Sequence, residues 1–567
     1  MKIAIVAPSP VPFVIGGAEN FAASWLAALN ELPGVEAELI KLPSPERNFW
    51  EIVDSYQRFA ELDVLHFDRV VTTKYPAWMI SHPDHHVYML HKLRGLYDTW
   101  PCGLATNLAR PQAPELQRLM QLLVHPAPNR QMLPELFGCL AQLREVANEL
   151  PPTLWALPGP LIRQVVHTLD GVALAREAVR RYWAISTTVA ERTGYFAPDV
   201  NVATDVVVVH PPAPTRLTAL GSANTDAPPW LTQLTCGQRY VFTASRLDAP
   251  KRLSLLVEAH LSSGIDLPLV VAGAGPERPK LDRLTKGRRN VHFVGRLTDS
   301  QLADAYRFAA WIPFVPDRED YGLIALEALQ AGKPVLTCSD SGGVTELVQH
   351  GVNGLVVAPS VTALAAAAKT LANDASLLQR LSDQAAASVA HIRWATLADA
   401  VGRPNKRVAV VNTFGIFPAR NGGQIRMLSL YRELARIADI RVVNLTDVGA
   451  KATARYLAPG LQEVMAPITA DHRAFEQTLT QRLKCPCSDI AAMLRPDLTP
   501  DWLTQIADAC QWADVVVACH PYALPAIRQV WQGPVVYESL NVEADLKQAI
   551  FGHDADMLQQ VEAVERD

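Results

Sequence analysis

The stretch EDYGLIALEALQAGKPV, Glu319 to Val335, decides how the rest of the chain is interpreted. An apolar run from Trp311 to Pro316 precedes it and predicts a buried strand, and Val335 to Cys338 predicts a second one. Between them, leucine and alanine residues recur at helical spacing, and Gly332 can end the helix. The pattern predicts strand, loop, helix and a second strand parallel to the first.

The loop Glu319 to Gly322 therefore meets a helix N-terminus at the carboxyl end of a parallel strand. The backbone N–H groups of Tyr321, Gly322 and Leu323 lie at this helix start, where they have no partner within the helix. Together with the helix dipole they favour a phosphate or a polar sugar face.

Two carboxylates, Glu319 and Glu327, flank this turn at a separation of eight residues. In a continuous helix they would lie about 12 Å apart, too far to share a proton or a metal but suited to opposite ends of a nucleotide-sugar. The alternative is one solvated glutamate on a loop and another on a helix. We interpret the pair as a site because the strand, the glycine turn and the apolar helix face agree.

This stretch resembles the E-x7-E signature of the retaining glycosyltransferases of family 4, which have the two-domain GT-B fold. The resemblance covers roughly residues 236–400. Four further segments follow the family's donor domain in order: Arg246–His260, Val270–Leu281, Val291–Leu297 and Ser341–Val357.

The resemblance implies a role for each residue of the donor site. Glu319 contacts the sugar hydroxyls, Glu327 holds the ribose, and Arg246 and Lys251 neutralise the diphosphate, as a planar fork and a point charge respectively. Retention of anomeric configuration and no required metal or other cofactor are implied as well. One departure is Arg252, which follows Lys251 where the family more often has glycine.

Two other glycine-rich turns lie in the same segment. Gly342, Gly343 and Glu346 form one at a strand end, and we expect it to face the same cleft. Gly273 and Gly275 resemble half a dinucleotide fingerprint whose third glycine is absent, which predicts a plain strand-to-helix turn.

The chain begins with an apolar strand, Ile3 to Ala7, then a loop containing Gly16 and Gly17, then a helix from about Ala18. A fully apolar strand before a helix indicates a doubly wound parallel sheet. The glycine pair alone could be an ordinary loop. By resemblance it faces the donor phosphates and the acceptor.

His91 is a candidate contact for the acceptor or the sugar. We predict strands at Asp63–Phe67 and Val87–Leu90, and His91 follows the second, at the sheet edge where ligands bind. The alternative is a surface histidine on a loop. His82, His85 and His86 crowd the loop before that strand, where we do not expect a metal.

The remaining parts of residues 1–402 carry less information. Residues 100–182 predict an irregular helical insertion without a motif, and Ser186 predicts a helix N-cap. Residues 213–229 predict a linker. A long helical tail, Ser376 to Val401, is expected to pack back on the first lobe.

Residues 406–567 begin with the same strand, Gly-Gly loop and helix as residues 2–29, an internal repeat at domain scale. No second E-x7-E or donor lobe follows. We expect the chain as given to end part-way through a second transferase, and a non-catalytic partner lobe is the alternative. Asp554 and Asp556 resemble a metal-binding D-x-D motif but lie in a helical tail, so we set them aside.

Composition describes a globular protein, with 49% hydrophobic and 19% charged residues and a net charge of −5, which argues against nucleic-acid binding. A basic segment at 278–289 predicts a solvated helix face, and an anionic-membrane patch is the alternative. Eight scattered cysteines indicate reduced thiols. Without a predicted signal peptide or spanning segment, we expect a cytoplasmic protein, with contact at the inner membrane face left open.

We therefore predict an α/β, GT-B fold: two Rossmann-like lobes facing a cleft, and a third lobe at the C-terminus. The predicted boundaries are listed here: 1–215 for the acceptor lobe, 216–235 for the linker, 236–402 for the donor lobe and 406–567 for the third lobe. The predicted function is retaining transfer of a sugar from a nucleoside-diphosphate-sugar to a glycan or lipid-linked glycan acceptor in bacterial surface polysaccharide synthesis. A nucleotide-sugar epimerase and a non-catalytic scaffold are the alternatives. The sequence does not specify the sugar, the base, the acceptor or the oligomeric state.

Overall fold

A computed structural model describes residues 1–13, 16–108, 114–125, 128–213, 226–288, 290–539 and 542–566. The chain forms two compact units. One comprises nearly all of residues 1–402, and the other comprises residues 403–567 with two short segments, 81–85 and 176–181. Part of the predicted linker, 216–225, and Arg289 of the basic segment lie outside the described residues.

The first lobe is built on a six-stranded sheet in the order β2-β1-β3-β4-β5-β6. Parallel pairing joins β1 to both β2 and β3, and β5 to β6. Six consecutive residues of β1 are buried, as expected for a strand covered on both faces. The elements are β1 Lys2–Ser9, α1 Gly17–Asn30, β2 Glu36–Pro43, α2 Phe49–Ala60, β3 Arg69–Lys74, β4 His85–His91, α3 Pro114–Leu123, α4 Leu133–Glu145, α5 Pro160–Ala173, β5 Arg181–Ala184, α6 Thr187–Ala190, α7 Val202–Asp205 and β6 Val206–Val208.

The second lobe contains two parallel three-stranded sheets, β7-β8-β9 and β10-β11-β12. The Ala310 N–H donates to the Tyr240 carbonyl at 2.8 Å, which joins the two sheets edge to edge. The elements are α8 Pro229–Thr235, β7 Val241–Ala244, α9 Leu253–Ser263, β8 Leu269–Ala272, α10 Arg278–Leu284, β9 Val291–Gly295, α11 Asp299–Phe308, β10 Ile312–Pro313, α12 Leu323–Gln330, β11 Val335–Cys338, α13 Val344–Leu347, β12 Gly354–Val357, α14 Val361–Asn373, α15 Ala375–Ser388 and α16 Trp394–Gly402.

The third lobe repeats the start of the first. Its sheet has the order β15-β16-β14-β13-β17-β18, and only β15 runs antiparallel to its neighbour. The elements are β13 Lys406–Val411, α17 Gly422–Leu434, β14 Ala438–Thr446, β15 Thr453–Ala458, β16 Leu461–Pro467, α18 Ala470–Leu483, α19 Ser488–Leu494, α20 Pro500–Trp512, β17 Val515–Cys519, α21 Leu524–Val530, β18 Val536–Glu538, α22 Glu543–Phe551 and α23 Ala555–Arg566.

The strand predicted at Asp63–Phe67 is wrong. The Asp63 carboxylate accepts the Leu65 N–H at 3.0 Å, and the Phe67 N–H donates to Val64, so this segment turns. The strand is β3, which begins at Arg69. A side-chain bond to the backbone two residues on competes with strand pairing.

Two other predictions need correction. His85 and His86 belong to β4 and are fully buried, so they do not lie in a loop. The predicted C-terminal tail is two helices, and only α16 packs on the first lobe, where the Trp394 and Phe21 rings lie 5.6 Å apart.

The predicted insertion at 100–182 contains α5, which is part of the first-lobe core. Its residue Asp170 is fully buried and accepts hydrogen bonds from Tyr56, Trp78 and Tyr97 at 2.7–2.8 Å. The Lys92 ammonium lies 3.7 Å away. This buried acid fixes α5 against α2 and β4.

Among the described residues, no helix is both long and apolar enough to span a bilayer. The predicted lobe boundaries at 215, 236 and 402 stay predictions.

Candidate active site

The loop that precedes α12 has an unusual backbone at Gly322, whose φ of +99° favours glycine. The side chain of Tyr321 is buried under the loop. Within the described part of the chain, the backbone N–H groups of Tyr321, Gly322 and Leu323 have no hydrogen-bond partner. Three free donors therefore stand at the start of an eight-residue helix, where its dipole is positive.

The second glycine-rich turn holds this loop in place. A Cβ on Gly342 would lie 2.5 Å from the Glu319 carbonyl oxygen, and a Cβ on Gly343 would lie 2.6 Å from that of Asp320. The Gly343 N–H donates to the Glu319 carbonyl at 3.0 Å. These glycines allow the two backbones to approach, so their first role is to support the loop.

The two predicted diphosphate-binding cations have different surroundings. Lys251 Nζ donates to Glu319 Oε2 at 2.6 Å, so a predicted phosphate contact is paired with a predicted sugar contact. The Arg246 side chain is 80% exposed and its guanidinium lies 3.2 Å from Asp248 Oδ2. Solvent screening makes that surface pair weak, which leaves Arg246 able to exchange it for a ligand.

The departure at Arg252 has a structural explanation. Arg252 adopts a left-handed φ of +48°, a conformation that glycine adopts at no steric cost. Its guanidinium donates to both oxygens of Asp340 at 2.7 Å and to the carbonyl oxygens of Val315 and Pro316. The bond to Arg252 lowers the pKa of Asp340. The arginine therefore ties the strand end to the neighbouring loop.

Glu327 faces a different element of the second lobe. The Tyr306 hydroxyl donates to Glu327 Oε2 at 2.9 Å. Burial, followed by the Glu327 charge, raises the pKa of Tyr306 well above its usual value, so the phenol stays protonated and keeps donating. One carboxylate oxygen of Glu327 is thereby fixed in direction.

The first lobe binds the loop through Asp320. Arg192 forms an ion pair with the Asp320 carboxylate, and Arg94 Nη1 lies 3.6 Å from it. The Ser186 hydroxyl donates to the Asp320 carbonyl at 2.5 Å and also accepts the Val189 N–H, as predicted for an N-cap. The role of Asp320 could not be predicted from the sequence because its partners lie more than a hundred residues away.

Glu346 makes a second connection between these lobes. Its carboxylate accepts the N–H groups of Thr187 and Thr188 at 2.8 Å, at the start of α6. The Tyr321 ring also stacks on His210 of the first lobe, with ring centroids 5.3 Å apart. The predicted glycine turn thus faces the cleft, and its acid holds the first lobe.

Gly16 and Gly17 lie at the start of α1, opposite α12. A Cβ on Gly17 would lie 3.7 Å from the Leu323 side chain, so the first-lobe glycine loop faces the free N–H groups. The Gly16 N–H already donates to Glu19 at 2.9 Å. Gly17 is therefore the better placed of the two for contact with a ligand at the α12 start.

His91 is the last residue of β4 and is half-buried. Burial, followed by the charges of Lys74, Arg94 and Arg192, lowers its pKa to about 3. Its Nδ1 lies 2.8 Å from the Lys92 carbonyl oxygen and must carry the hydrogen. His91 is then neutral and offers Nε2 as a hydrogen-bond acceptor.

A cavity of about 220 Å³ opens at the carboxyl ends of β1, β2 and β3. Four charged residues line it: Glu19 pairs with Lys41 at 3.3 Å, and Glu46 accepts the Tyr75 hydroxyl at 2.8 Å. Burial lowers the pKa of Lys74, the fourth. This group was missed because it depends on the register of three strands.

The structure thus brings together Lys251, Glu319, the residues 321–323 and Gly17. His91 lies on the first-lobe side, within electrostatic reach of Arg94 and Arg192. Glu327 and Arg246 contact other residues, Tyr306 and Asp248 respectively. In the described ranges, no group of three or more His, Cys, Asp or Glu residues could hold a metal ion.

Comparison with known proteins finds similarity in the second lobe. Residues 232–388 match the family described as glycosyl transferases group 1. This segment resembles a group 1 glycosyltransferase. The match contains Lys251, Glu319 and the α12 start, so the geometry described above falls inside it.

Three curated proteins are similar to this chain over parts of their length. D-rhamnosyltransferase WbpZ of Pseudomonas aeruginosa is 33% identical over 128 residues, 22% of this chain and 33% of that protein. Alpha-D-kanosaminyltransferase of Streptomyces kanamyceticus is 29% identical over 153 residues, 26% of this chain and 39% of that protein. An exopolysaccharide phosphotransferase of Streptomyces coelicolor is 31% identical over 146 residues, 25% of this chain and 16% of that protein.

The chain thus spans about a third of the length of the first two curated relatives. Among solved structures, HepE of Anabaena in complex with UDP and glucose aligns with a TM-score of 0.46 and 15% identity. That alignment covers 71% of this chain and 98% of the Anabaena chain.

Proposed function

We propose that residues 1–402 form a retaining glycosyltransferase that moves a sugar from a nucleoside-diphosphate-sugar to an acceptor hydroxyl. One observation carries the proposal: the Lys251–Glu319 pair lies beside three free N–H groups that face Gly17 of the other lobe. A cation and a helix start suit a diphosphate, and an acid suits sugar hydroxyls. The group 1 match at residues 232–388 supports the same activity.

The departing diphosphate is stabilised by positive charge that the protein itself supplies. Lys251 and Arg246 hold the phosphates, and the N–H groups of Tyr321, Gly322 and Leu323 bind the oxygens on which charge develops. This set would make a metal ion unnecessary. Glu319 releases Lys251 to the phosphate and binds the sugar, and Glu327, oriented by Tyr306, binds the ribose.

The reaction forms one bond and breaks one at the anomeric carbon, and it moves one proton. The acceptor oxygen bonds to the anomeric carbon as the bond from that carbon to the diphosphate oxygen breaks, and the acceptor proton passes to the leaving diphosphate. His91 accepts a hydrogen bond from the acceptor hydroxyl through Nε2. A pKa of about 3 makes His91 a weak base. His91 therefore orients the acceptor, and the leaving phosphate takes the proton.

The acceptor binds in the first-lobe cavity lined by Glu19, Lys41, Glu46 and Lys74. Alternating acids and amines at the edge of a sheet suit the hydroxyls of a glycan or lipid-linked glycan. The similarity to an exopolysaccharide phosphotransferase supports a role in bacterial surface polysaccharide synthesis, such as that of an O-antigen. Exposed Arg283, Lys286 and Arg288 offer a basic face for peripheral contact with the cytoplasmic side of the membrane.

The test is a donor screen followed by a product assay. The chain is incubated with UDP-, GDP- and TDP-sugars and a glycan acceptor, and released nucleoside diphosphate and glycosylated acceptor are measured. We expect one donor to raise the melting temperature and to transfer its sugar with retained configuration. Conversion of the donor without an acceptor would indicate the epimerase alternative. No donor-dependent change would indicate a scaffold.

Glu319→Gln gives the matched variant for the assay. It keeps the shape of the side chain but removes the negative charge that pairs with Lys251. We expect transfer to fall at least 100-fold while the folded protein remains. An unchanged rate would remove Glu319 from the site.

A further inference from the structure

Arg252 departs from the resembled family at a position where the backbone is strained. It follows Lys251 directly, and its φ of +48° and ψ of +38° lie in the left-handed region, which is unfavourable for a residue with a Cβ. Glycine, which the family more often has here, adopts this conformation freely. A strained residue persists where its contacts outweigh the strain, so the reason for an arginine lies in the bonds of its guanidinium.

The Arg252 guanidinium binds two separate segments of the second lobe. It donates to both carboxylate oxygens of Asp340 at 2.7 Å, a bidentate contact that fixes direction as well as distance. It also donates to the carbonyl oxygens of Val315 at 2.8 Å and Pro316 at 2.6 Å. These four bonds use four of the five N–H donors that an arginine has. The guanidinium is therefore committed to the protein and has little left for a ligand.

Both of these segments determine where Glu319 lies. One precedes Glu319 in the chain, and the other runs beside it. The Arg318 N–H donates to the Asp340 carbonyl at 3.0 Å, and the Glu319 N–H donates to the Ser341 carbonyl at 3.2 Å. Arg252 thus holds the loop that carries Glu319 from two sides.

The same guanidinium also fixes the partner of Glu319. Lys251 Nζ donates to Glu319 Oε2 at 2.6 Å, and the backbone of Lys251 leads directly into Arg252. On the other side of Lys251, the Pro250 carbonyl accepts the Asp317 N–H at 2.8 Å. The segments that carry the ammonium and the carboxylate are therefore joined to each other through Arg252.

We propose that Arg252 is a positioning residue that sets the Lys251–Glu319 pair before a ligand arrives. A glycine at this position would leave the turn free to move, and a ligand would have to order it on binding. Arg252 acts through Lys251 and Glu319 and does not bind the diphosphate itself. The inference rests on the proposed function, because the pair that Arg252 positions belongs to the proposed donor site.

Asp340→Asn distinguishes positioning from direct binding of the donor. If Arg252 bound the diphosphate, removal of the Asp340 charge would release the guanidinium, and transfer would rise or stay the same. If Arg252 positions the pair, the same variant weakens the bidentate contact and transfer falls. We expect kcat to fall about 30-fold in Arg252→Ala and about 10-fold in Asp340→Asn, with the donor KM changed by less than about 3-fold.

Two further variants of Arg252 separate its charge and its backbone from its bonds. Arg252→Lys keeps the charge but cannot form the planar bidentate contact, so kcat is expected to fall nearly as far as in Arg252→Ala. Arg252→Gly also removes the strain, so its melting temperature is expected to exceed that of Arg252→Ala while kcat falls equally. Full activity in the lysine or the glycine variant, or in Asp340→Asn, would overturn the proposal.

Hydrogen exchange tests the same contact without a donor. In Arg252→Ala and Asp340→Asn, exchange of the Arg318 and Glu319 amides is expected to rise about 10-fold, while the amides of β8 exchange as in the unsubstituted chain. Unchanged exchange at Arg318 and Glu319 would overturn the proposal whether or not the chain transfers a sugar. Faster exchange in a chain that transfers no sugar would support the positioning and reject only the proposed function.

Discussion

The first and third lobes begin with the same strand, glycine loop and helix but differ in the side chains that follow their strands. β1 pairs with β3 as β13 pairs with β17, and each of β3 and β17 is followed directly by an aromatic residue and a proline, Tyr75-Pro76 and His520-Pro521. Tyr75 donates its hydroxyl to Glu46 at 2.8 Å, whereas both ring nitrogens of His520 have no hydrogen-bond partner among the described residues. The residue that follows the strand is therefore bonded to the protein in the first lobe, whereas in the third lobe its ring nitrogens have no hydrogen bond among the described residues.

The first and third lobes also differ in where their polar contacts come from. Asp320 and Glu346 of the second lobe connect to the first lobe through Arg192, Thr187 and Thr188. In the third lobe the described polar groups near His520 come from elements of that lobe itself, among them α17, α19 and α22. A repeated fold therefore does not carry a repeated site: function depends on the side chains at the strand ends.

The largest predicted effect is the loss of transfer activity in Lys251→Ala, a variant of the second lobe. We expect the transfer rate to fall about 1000-fold, because the variant removes a cation from the departing diphosphate. Release of nucleoside diphosphate in the presence of acceptor measures the rate. Lys280→Ala, which removes an exposed lysine of the same lobe, is the control and is expected to transfer normally. Comparable losses in both variants would show that net charge, not position, matters.

Asp170→Ala tests whether the first-lobe core depends on its buried acid. The variant leaves the Lys92 ammonium, 3.7 Å away and nearly fully buried, without its carboxylate, and we expect a loss of about 3 to 5 kcal/mol in the free energy of unfolding. Urea denaturation measures the loss. Hydrogen exchange should rise in α5 and stay unchanged in α20 of the third lobe. Asp170→Asn keeps an acceptor for the tyrosines and should lose less, so equal losses would contradict this account.

The lowered pKa of His91 predicts that the stability of the first lobe depends on pH. Its folded pKa, about 3, lies below the usual value near 6.5, so the unfolded chain binds a proton that the folded chain does not. Stability is then full above about pH 6.5 and falls as the pH drops toward 3, by at most about 1.4 kcal/mol per pH unit.

Denaturation of the chain and of His91→Gln at several pH values measures this slope. The variant is expected to lose less stability between pH 6.5 and 4, because glutamine does not titrate. Parallel curves for the two proteins would mean that His91 titrates normally when folded.

The smallest expected effect concerns the strain at His520. His520→Gly and His520→Ala both remove the ring, but only glycine adopts a φ of +71° without strain. We expect the glycine variant to be more stable than the alanine variant by about 1 kcal/mol, measured by urea denaturation. Alanine as stable as glycine would mean that the backbone relaxes and that His520 is not held in place.

Local signals in the sequence predicted most of the elements that surround the site. Three predicted features are found where the sequence indicates them: strand β11 at Val335–Cys338, the helix end at Gly332, whose φ is +71°, and the N-cap at Ser186. Each depends on residues within a few positions of one another. The predicted strand at 63–67 failed because an Asx turn is not visible in an apolar pattern.

Long-range pairs account for what could not be predicted. The Asp320–Arg192 and Arg252–Asp340 bonds join residues 128 and 88 positions apart. The first-lobe cavity brings Lys74 near Glu46 and Glu19, which only the order and register of the strands determine. Motif similarity predicted roles for Lys251 and Glu319, but it did not reveal that the two bind each other.

The hydrogen bonds of Asp320 and Glu346 also affect how much a ligand at the start of α12 must contribute. The helix start at α12 is positioned by the protein's own bonds to the other lobe, so its conformational entropy is lost when the chain folds. A ligand then meets a preorganised surface and spends little of its interaction energy on ordering it. Selectivity among sugars would rest on direct complementarity, and weak donors would be rejected by poor fit.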